Sequence, residues 1–216
     1  MWKFLQNIMG RSSTYYEELM KSRDTEAQIS AQQLEESKKL ISPLIKKAYS
    51  LEQAPAPTGL QKLYNNKGKS VPYYKSYYHP NHILHLYINL EQLEKHESNV
   101  QLILEERKPD VDLKEIPSLP MWESLIHLDL EKHRQLVKMA SGQPWTLYKK
   151  TKQELVGNPI INQVMGYPQW IVNDIDYRKL ENTTFLFQME LLDKERVLYF
   201  VFNSTSQNSE FYIQKW

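Results

Sequence analysis

The sequence predicts an α+β fold, mainly antiparallel sheet with helices packed to one side. Three observations carry this. An apolar stripe of helical period lies near the N-terminus, period-two segments recur after residue 80, and the link at 192–196 is short enough for an antiparallel hairpin. With 216 residues the chain has room for one large or two small domains. We read one, 1–216, with a helical segment over about 12–52 and a sheet-rich body over about 70–216.

The first element is a long N-terminal helix. Asp24 or Thr25 caps it, Thr25 with Gln28 fits a capping box, and the stripe runs Ala27, Ala31, Leu34, Ile41, Leu44, Ile45 and Ala48. Pro43 kinks or splits it, because proline lacks a backbone donor and crowds the preceding turn. Pro55, Pro57 and Gly59 then end helical structure. Leu84, Leu86, Ile88 and Leu90 alternate with His85, Tyr87 and Asn89 as a strand with one covered face, and Val100 to Leu104 follows as a second. A helical turn around Leu93 joins them. Ile126, Leu128 and Leu130 alternate with His127 and Asp129 as a further strand, and 130–140 reads as a helix that Gly142 closes. Near the end, Phe185, Phe187, Met189 and Leu191 alternate with Gln188 and Glu190, and 197–202 is apolar on both parities, as in a strand buried on two faces. Residues 71–105 and 166–203 share the order aromatic-proline segment, strand, connection, strand, and so read as a degenerate internal repeat.

Composition excludes several classes. There is no cysteine, so disulfides, cysteine-ligated zinc, iron–sulfur clusters and thiol nucleophiles are out. Lysine plus arginine number 27 against 26 acidic residues, so no global field holds nucleic acid or an anionic membrane. No apolar run approaches the ~20 residues of a membrane helix, and no secretion signal is expected from the first residues. A cytoplasmic protein is the expectation. No nucleophile elbow, phosphate loop, dinucleotide fingerprint or zinc-protease helix is present, and we expect no cofactor.

The most distinctive stretch is Gly166-Tyr167-Pro168-Gln169-Trp170. Glycine supplies positive φ or a close backbone approach, and proline fixes φ and keeps Tyr167 out of helix, so a defined turn with aromatic walls is expected. With Asp174 and the run Leu186-Phe187-Gln188-Met189, this stretch resembles the C-terminal signature of the YwqG-like family of uncharacterised bacterial proteins. Val172 stands where that pattern has glutamine, and the acidic-glycine segment is reduced to 193–196. The resemblance is confined mainly to residues 162–203 and implies an α+β fold rich in antiparallel strands; it brings no reaction or ligand.

Three sets of candidate residues emerge. Tyr167, Trp170 and Tyr177 line a pocket in the first, with Asp174 and Gln188 as its polar groups; the alternative is that the aromatics seal a core corner and Asp174 caps backbone donors. The second is the Lys/Tyr-rich stretch 62–79, in which Lys67, Lys69 and Lys75 face phosphates while Tyr73 and Tyr74 stack on bases, set against an aromatic loop docked on the sheet. Histidines form the third. His79, His82 and His85 are spaced by three and would ligate a metal only if the first two bend back over His85. Exposed or capping histidines are the reading taken, and no metal is expected, while His127 or His133 with Asp129 forms a His/Asp pair unless Asp129 merely caps a helix.

The leading expectation is a binding module that recognises a protein or peptide partner through the surface around Tyr167 and Trp170, in the manner of an immunity protein. An enzyme of unassigned reaction using the His/Asp pair is the alternative. Nucleic-acid or anionic-ligand binding through 62–79 comes third.

Overall fold

Leu84, Leu86 and Ile88 share one buried cluster with Phe187, Met189, Leu198 and Phe200, and this apolar layer joins two antiparallel sheets. A computed structural model describes residues 29–60, 62–64, 67–94, 100–106, 110–140, 142–172, 175–180, 182–191 and 193–216. The chain separates into two compact units, one holding described residues 29–43 and 128–157, the other 44–127 and 158–216.

The first unit is helical. Its helices are α1 (Ala31–Ile41), α4 (Leu130–Met139) and α5 (Pro144–Val156), which pack on one another. Ser30 caps α1 in a capping box with Gln33, whose amide also reaches the Met139 carbonyl at 2.6 Å. Two small hydroxyls, Ser37 and Thr151, meet at 2.5 Å between α1 and α5. Such residues let helices approach closely, and Lys38 bridges Glu35 and Glu154 at the rim of the same contact.

The second unit is a two-sheet sandwich. Its six-stranded sheet uses β1 (Lys46–Ser50), β8 (Glu115–Ser118), β9 (Gln163–Met165), β10 (Thr183–Glu190), β11 (Arg196–Asn203) and β12 (Asn208–Lys215), in the order β12-β11-β10-β9-β1-β8. The four-stranded sheet runs β2 (Gln53–Ala54), β5 (Tyr73–His79), β6 (His82–Ile88), β7 (Val100–Glu105). A small hairpin pairs β3 (Leu63–Tyr64) with β4 (Ser70–Val71), and short helices α2 (Leu90–Glu94) and α3 (Trp122–Leu128) complete the unit. All strand neighbours are antiparallel. The chain changes sheet at Leu51-Glu52, where Leu51 N–H donates to the Asn162 carbonyl and the Glu52 carbonyl accepts from Tyr78 N–H.

The hairpin expected at 183–203 is present, with Gln188 opposite Tyr199 and Met189 opposite Leu198. Every residue of β11 from Val197 to Val201 is buried, as its apolar run on both parities requires. The two stretches read as a repeat each supply an antiparallel pair, β6–β7 and β10–β11, to the shared core. Their connections differ, one carrying α2 and the other a tight turn.

Several expectations are corrected. The N-terminal helix is eleven residues within the described part, while the Asp24 and Thr25–Gln28 caps lie outside the described residues. Leu44 belongs to a 3-10 turn, and Ala48 sits on β1. Pro43 ends the helix instead of kinking it, and pairing with β8 and β9 then claims the following residues. Ile126 and Leu128, expected on a strand, lie on α3 and are exposed; five alternating residues fit either period. The tyrosine-rich stretch at 73–79, weighed as a loop, is the interior strand β5, as aromatic β-propensity favours.

Candidate functional site

The segment 166–172 has no regular structure, and side chains satisfy its backbone. Gly166 adopts φ of 78°, and a Cβ there would stand 2.7 Å from the Cβ atoms of both Ala48 and Ser118. Tyr167 N–H donates to Ser118 Oγ at 3.0 Å, and the Tyr167 carbonyl accepts from Gln163 and Gln169 side chains at 2.6 and 3.0 Å. Gln188 Oε1 takes Gln169 N–H at 2.7 Å, Tyr199 OH reaches the Gln169 carbonyl, and the Gln214 amide accepts from Ile171 N–H and donates to the Val172 carbonyl. These glutamines and Tyr199 project from strands of the six-stranded sheet and from the strap itself. A strap is thereby tied flat onto the sheet face that points away from the sandwich core.

Apolar contacts complete the docking. Trp170 packs on Tyr199 and meets Tyr212 edge-on within a second cluster that holds Ile171, Ile175 and Tyr177. Trp170 is 4% exposed and Tyr167 8%. The recognition surface expected around these two rings is therefore replaced by core, because hydrogen bonds from the strand glutamines pull the turn inward. Burial raises the hydroxyl pKa of both Tyr167 and Tyr177, and Lys46 Nζ lies 4.4 Å over the Tyr167 ring. Tyr177 stacks on His127 and meets Ser124 Oγ at 3.1 Å, fastening α3 to the 3-10 turn Tyr177–Leu180. Gln188 is fully buried, and its Nε2 is a donor with no acceptor among the described residues. Asp174 lies outside the described residues.

The Lys/Tyr stretch does not assemble a stacking platform. Tyr73 and Tyr74 divide between different environments: Tyr73 joins a polar network, while Tyr74 packs against the sandwich core, where burial raises its pKa. Lys75 lies beside Tyr74, and Lys67 and Lys69 are exposed near the β3–β4 hairpin. Asp129 does cap a helix: its Oδ1 accepts from Lys132 N–H, and hydrogen bonding to Lys132 lowers its pKa. The His/Asp pair is thus accounted for without chemistry on the Asp side. His133 sits on α4, its pKa lowered by burial.

His85 meets a carboxylate. Its Nε2 lies 2.9 Å from Glu105 Oε2, its Nδ1 lies 2.6 Å from Ser76 Oγ, and Ser76 Oγ lies 2.7 Å from Tyr73 OH. With a neutral ring the chain has one consistent direction, Tyr73 to Ser76 to His85 to Glu105, each donor feeding the next acceptor. Ser76 and His85 are buried, and Glu105 opens to solvent. Ser76 is directly opposite His85 across β5–β6, and Glu105 is reached diagonally from β7. Outward parity of His85 was the one hint in the sequence; register across three strands supplies the rest.

Beside Glu105 on the same outward face of β7 stand Ile103, 40% exposed, and Gln101, whose amide reaches the Tyr64 carbonyl at 3.4 Å. Tyr64 is 67% exposed. Among the described residues β7 ends its sheet, with no strand on its far side. No group of three or more metal-ligating side chains occurs among the described residues, and no described helix is long and apolar enough to cross a membrane. No family model, curated protein or solved structure matches the chain.

Proposed function

We propose that the protein is a binding module that takes an extended peptide segment of a protein partner along the edge of β7 that no described strand covers. The observation that carries this is the edge itself: a six-residue strand whose outward face presents the exposed Ile103, with Gln101 reaching the Tyr64 carbonyl and Glu105 and Glu106 at its end. An unpaired edge offers backbone donors and acceptors for strand addition, and alternate side chains then read the ligand. Here they select an apolar side chain over Ile103, and a lysine or arginine toward Glu105. His85 and Ser76 hold that carboxylate in place from inside the sheet. Neutralisation of a partner, as an immunity protein does, is one form of this role, and the likeness of residues 162–203 to YwqG-like proteins belongs to the same proposal.

Selection of ten-residue peptides from a random library on the immobilised protein tests the reading. Basic residues spaced by two from an apolar one are the expected consensus, and Ile103→Lys should abolish capture. Peptides with no charge preference, retained equally by Ile103→Lys, would refute it.

The Ser76–His85–Glu105 chain favours a second reading, an enzyme using Ser76 as nucleophile and His85 as base. Ser76 is wholly buried, so this reading requires β5 to open. Labelling of Ser76 by a fluorophosphonate, lost in His85→Ala, would move the assignment from binding to catalysis.

A further inference from the structure

We propose that His79 and His82, at the tip of the β5–β6 hairpin, bind a divalent transition metal of the imidazole-preferring class, Zn2+, Cu2+ or Ni2+. Their Nδ1 atoms lie 3.3 Å apart. Two imidazole ligands at bond lengths of ~2.0–2.1 Å around a tetrahedral ion stand about 3.3 Å from each other, so the pair is already at ligand spacing. The strand register fixes this, since His79 and His82 are the last paired residues of the hairpin and only Pro80-Asn81 separates them. In the metal-free protein one ring donates the shared proton to the other. Asn81 N–H also points at His79 Nδ1 at 3.3 Å, which makes that nitrogen the acceptor.

A ligand imidazole must present an unprotonated nitrogen. A metal would replace the proton between the rings, displacing the long Asn81 N–H contact at His79 Nδ1 as well, after a small rotation of each ring about its side-chain bonds. Two protein ligands converge among the described residues, and water or a small anion completes the shell, so the affinity falls below that of a closed structural site. His85 does not join, because Ser76 and Glu105 occupy both of its ring nitrogens.

The test is calorimetric titration of Zn2+ and Cu2+ into the chelator-treated full chain carrying no polyhistidine tag. One ion per chain is expected at neutral pH, weakened about tenfold or more by His82→Ala and by His79→Gln, and unchanged by the exposed control His127→Ala. Thermal melts accompany each variant; if His79→Gln proves unstable, half-buried His82 carries the comparison. Equal affinity of the wild type and His82→Ala, or the absence of any saturable binding, would overturn the proposal. Neither result bears on the β7 edge.

Discussion

Gly166 and Ser118 are packed so closely that a methyl group on the glycine would stand 2.7 Å from the serine Cβ and 2.8 Å from its hydroxyl. The same hydroxyl accepts Tyr167 N–H, so one contact fixes both the depth and the direction of the strap. Gly166→Ala adds a strained left-handed conformation to a steric overlap and should cost roughly 2–4 kcal/mol in urea unfolding. Gly59 also has positive φ but open space around it, and Gly59→Ala should cost only about 1 kcal/mol.

Gln214 makes hydrogen bonds to Ile171 N–H, Val172 N–H and the Val172 carbonyl from one side chain. Gln214→Leu keeps the volume and leaves those backbone groups to find other partners, so a loss of roughly 2–3 kcal/mol is expected. Hydrogen exchange should show where it falls: the Val172 amide loses protection, the Ile171 amide keeps Tyr199 OH as acceptor, and the β5–β6 amides do not change.

Ser76→Ala removes the centre of the Tyr73–Ser76–His85–Glu105 chain. Leaving His85 Nδ1 and Tyr73 OH without their buried partner should cost about 1–3 kcal/mol. Nitrogen-15 NMR of the wild type should show the His85 tautomer protonated on Nε2, with the Nδ1 resonance shifting in the variant.

The β10–β11 turn carries a pH signature. Asp193 accepts from Glu195 N–H and Arg196 N–H and pairs with Arg196, and although burial opposes ionisation, these hydrogen bonds leave its pKa below the usual value. A carboxylate with a depressed folded pKa stabilises the fold above its unfolded pKa, near 4, and loses that contribution as pH falls through the folded value. The stability gap between wild type and Asp193→Asn should therefore be open at pH 7 and narrow steadily below pH ~4. Lys194 in the same turn has φ of 55°, so Lys194→Gly should be neutral or stabilising by up to about 1 kcal/mol, in contrast to an ordinary surface substitution to glycine.

How far these features can be read from sequence depends on how local their causes are. The hairpin 183–203 is legible because strict alternation meets a short polar link, and the bend at Gly166 and Pro168 is legible because glycine admits the positive φ while proline fixes its own φ. The inward docking of Tyr167 and Trp170 is not, since it depends on Gln163, Gln188 and Gln214 from three separate strands, and glutamines on strands read as solvent-facing. Helix α5 escapes for a related reason: it starts at a proline and buries threonine and tyrosine along with leucine, which blurs its apolar stripe. Ser76 and His85 sit on the two arms of one hairpin and Glu105 on the next strand, and the register of β5, β6 and β7, which the sequence does not state, brings them together.

Amide exchange along β7 tests the central claim most directly. With a selected basic-apolar peptide bound, the amides within 100–105 that point away from β6 should gain protection, and Glu105→Lys should reverse the preference toward acidic peptides. Protection appearing elsewhere while β7 exchanges as in the free protein would contradict strand addition at this edge.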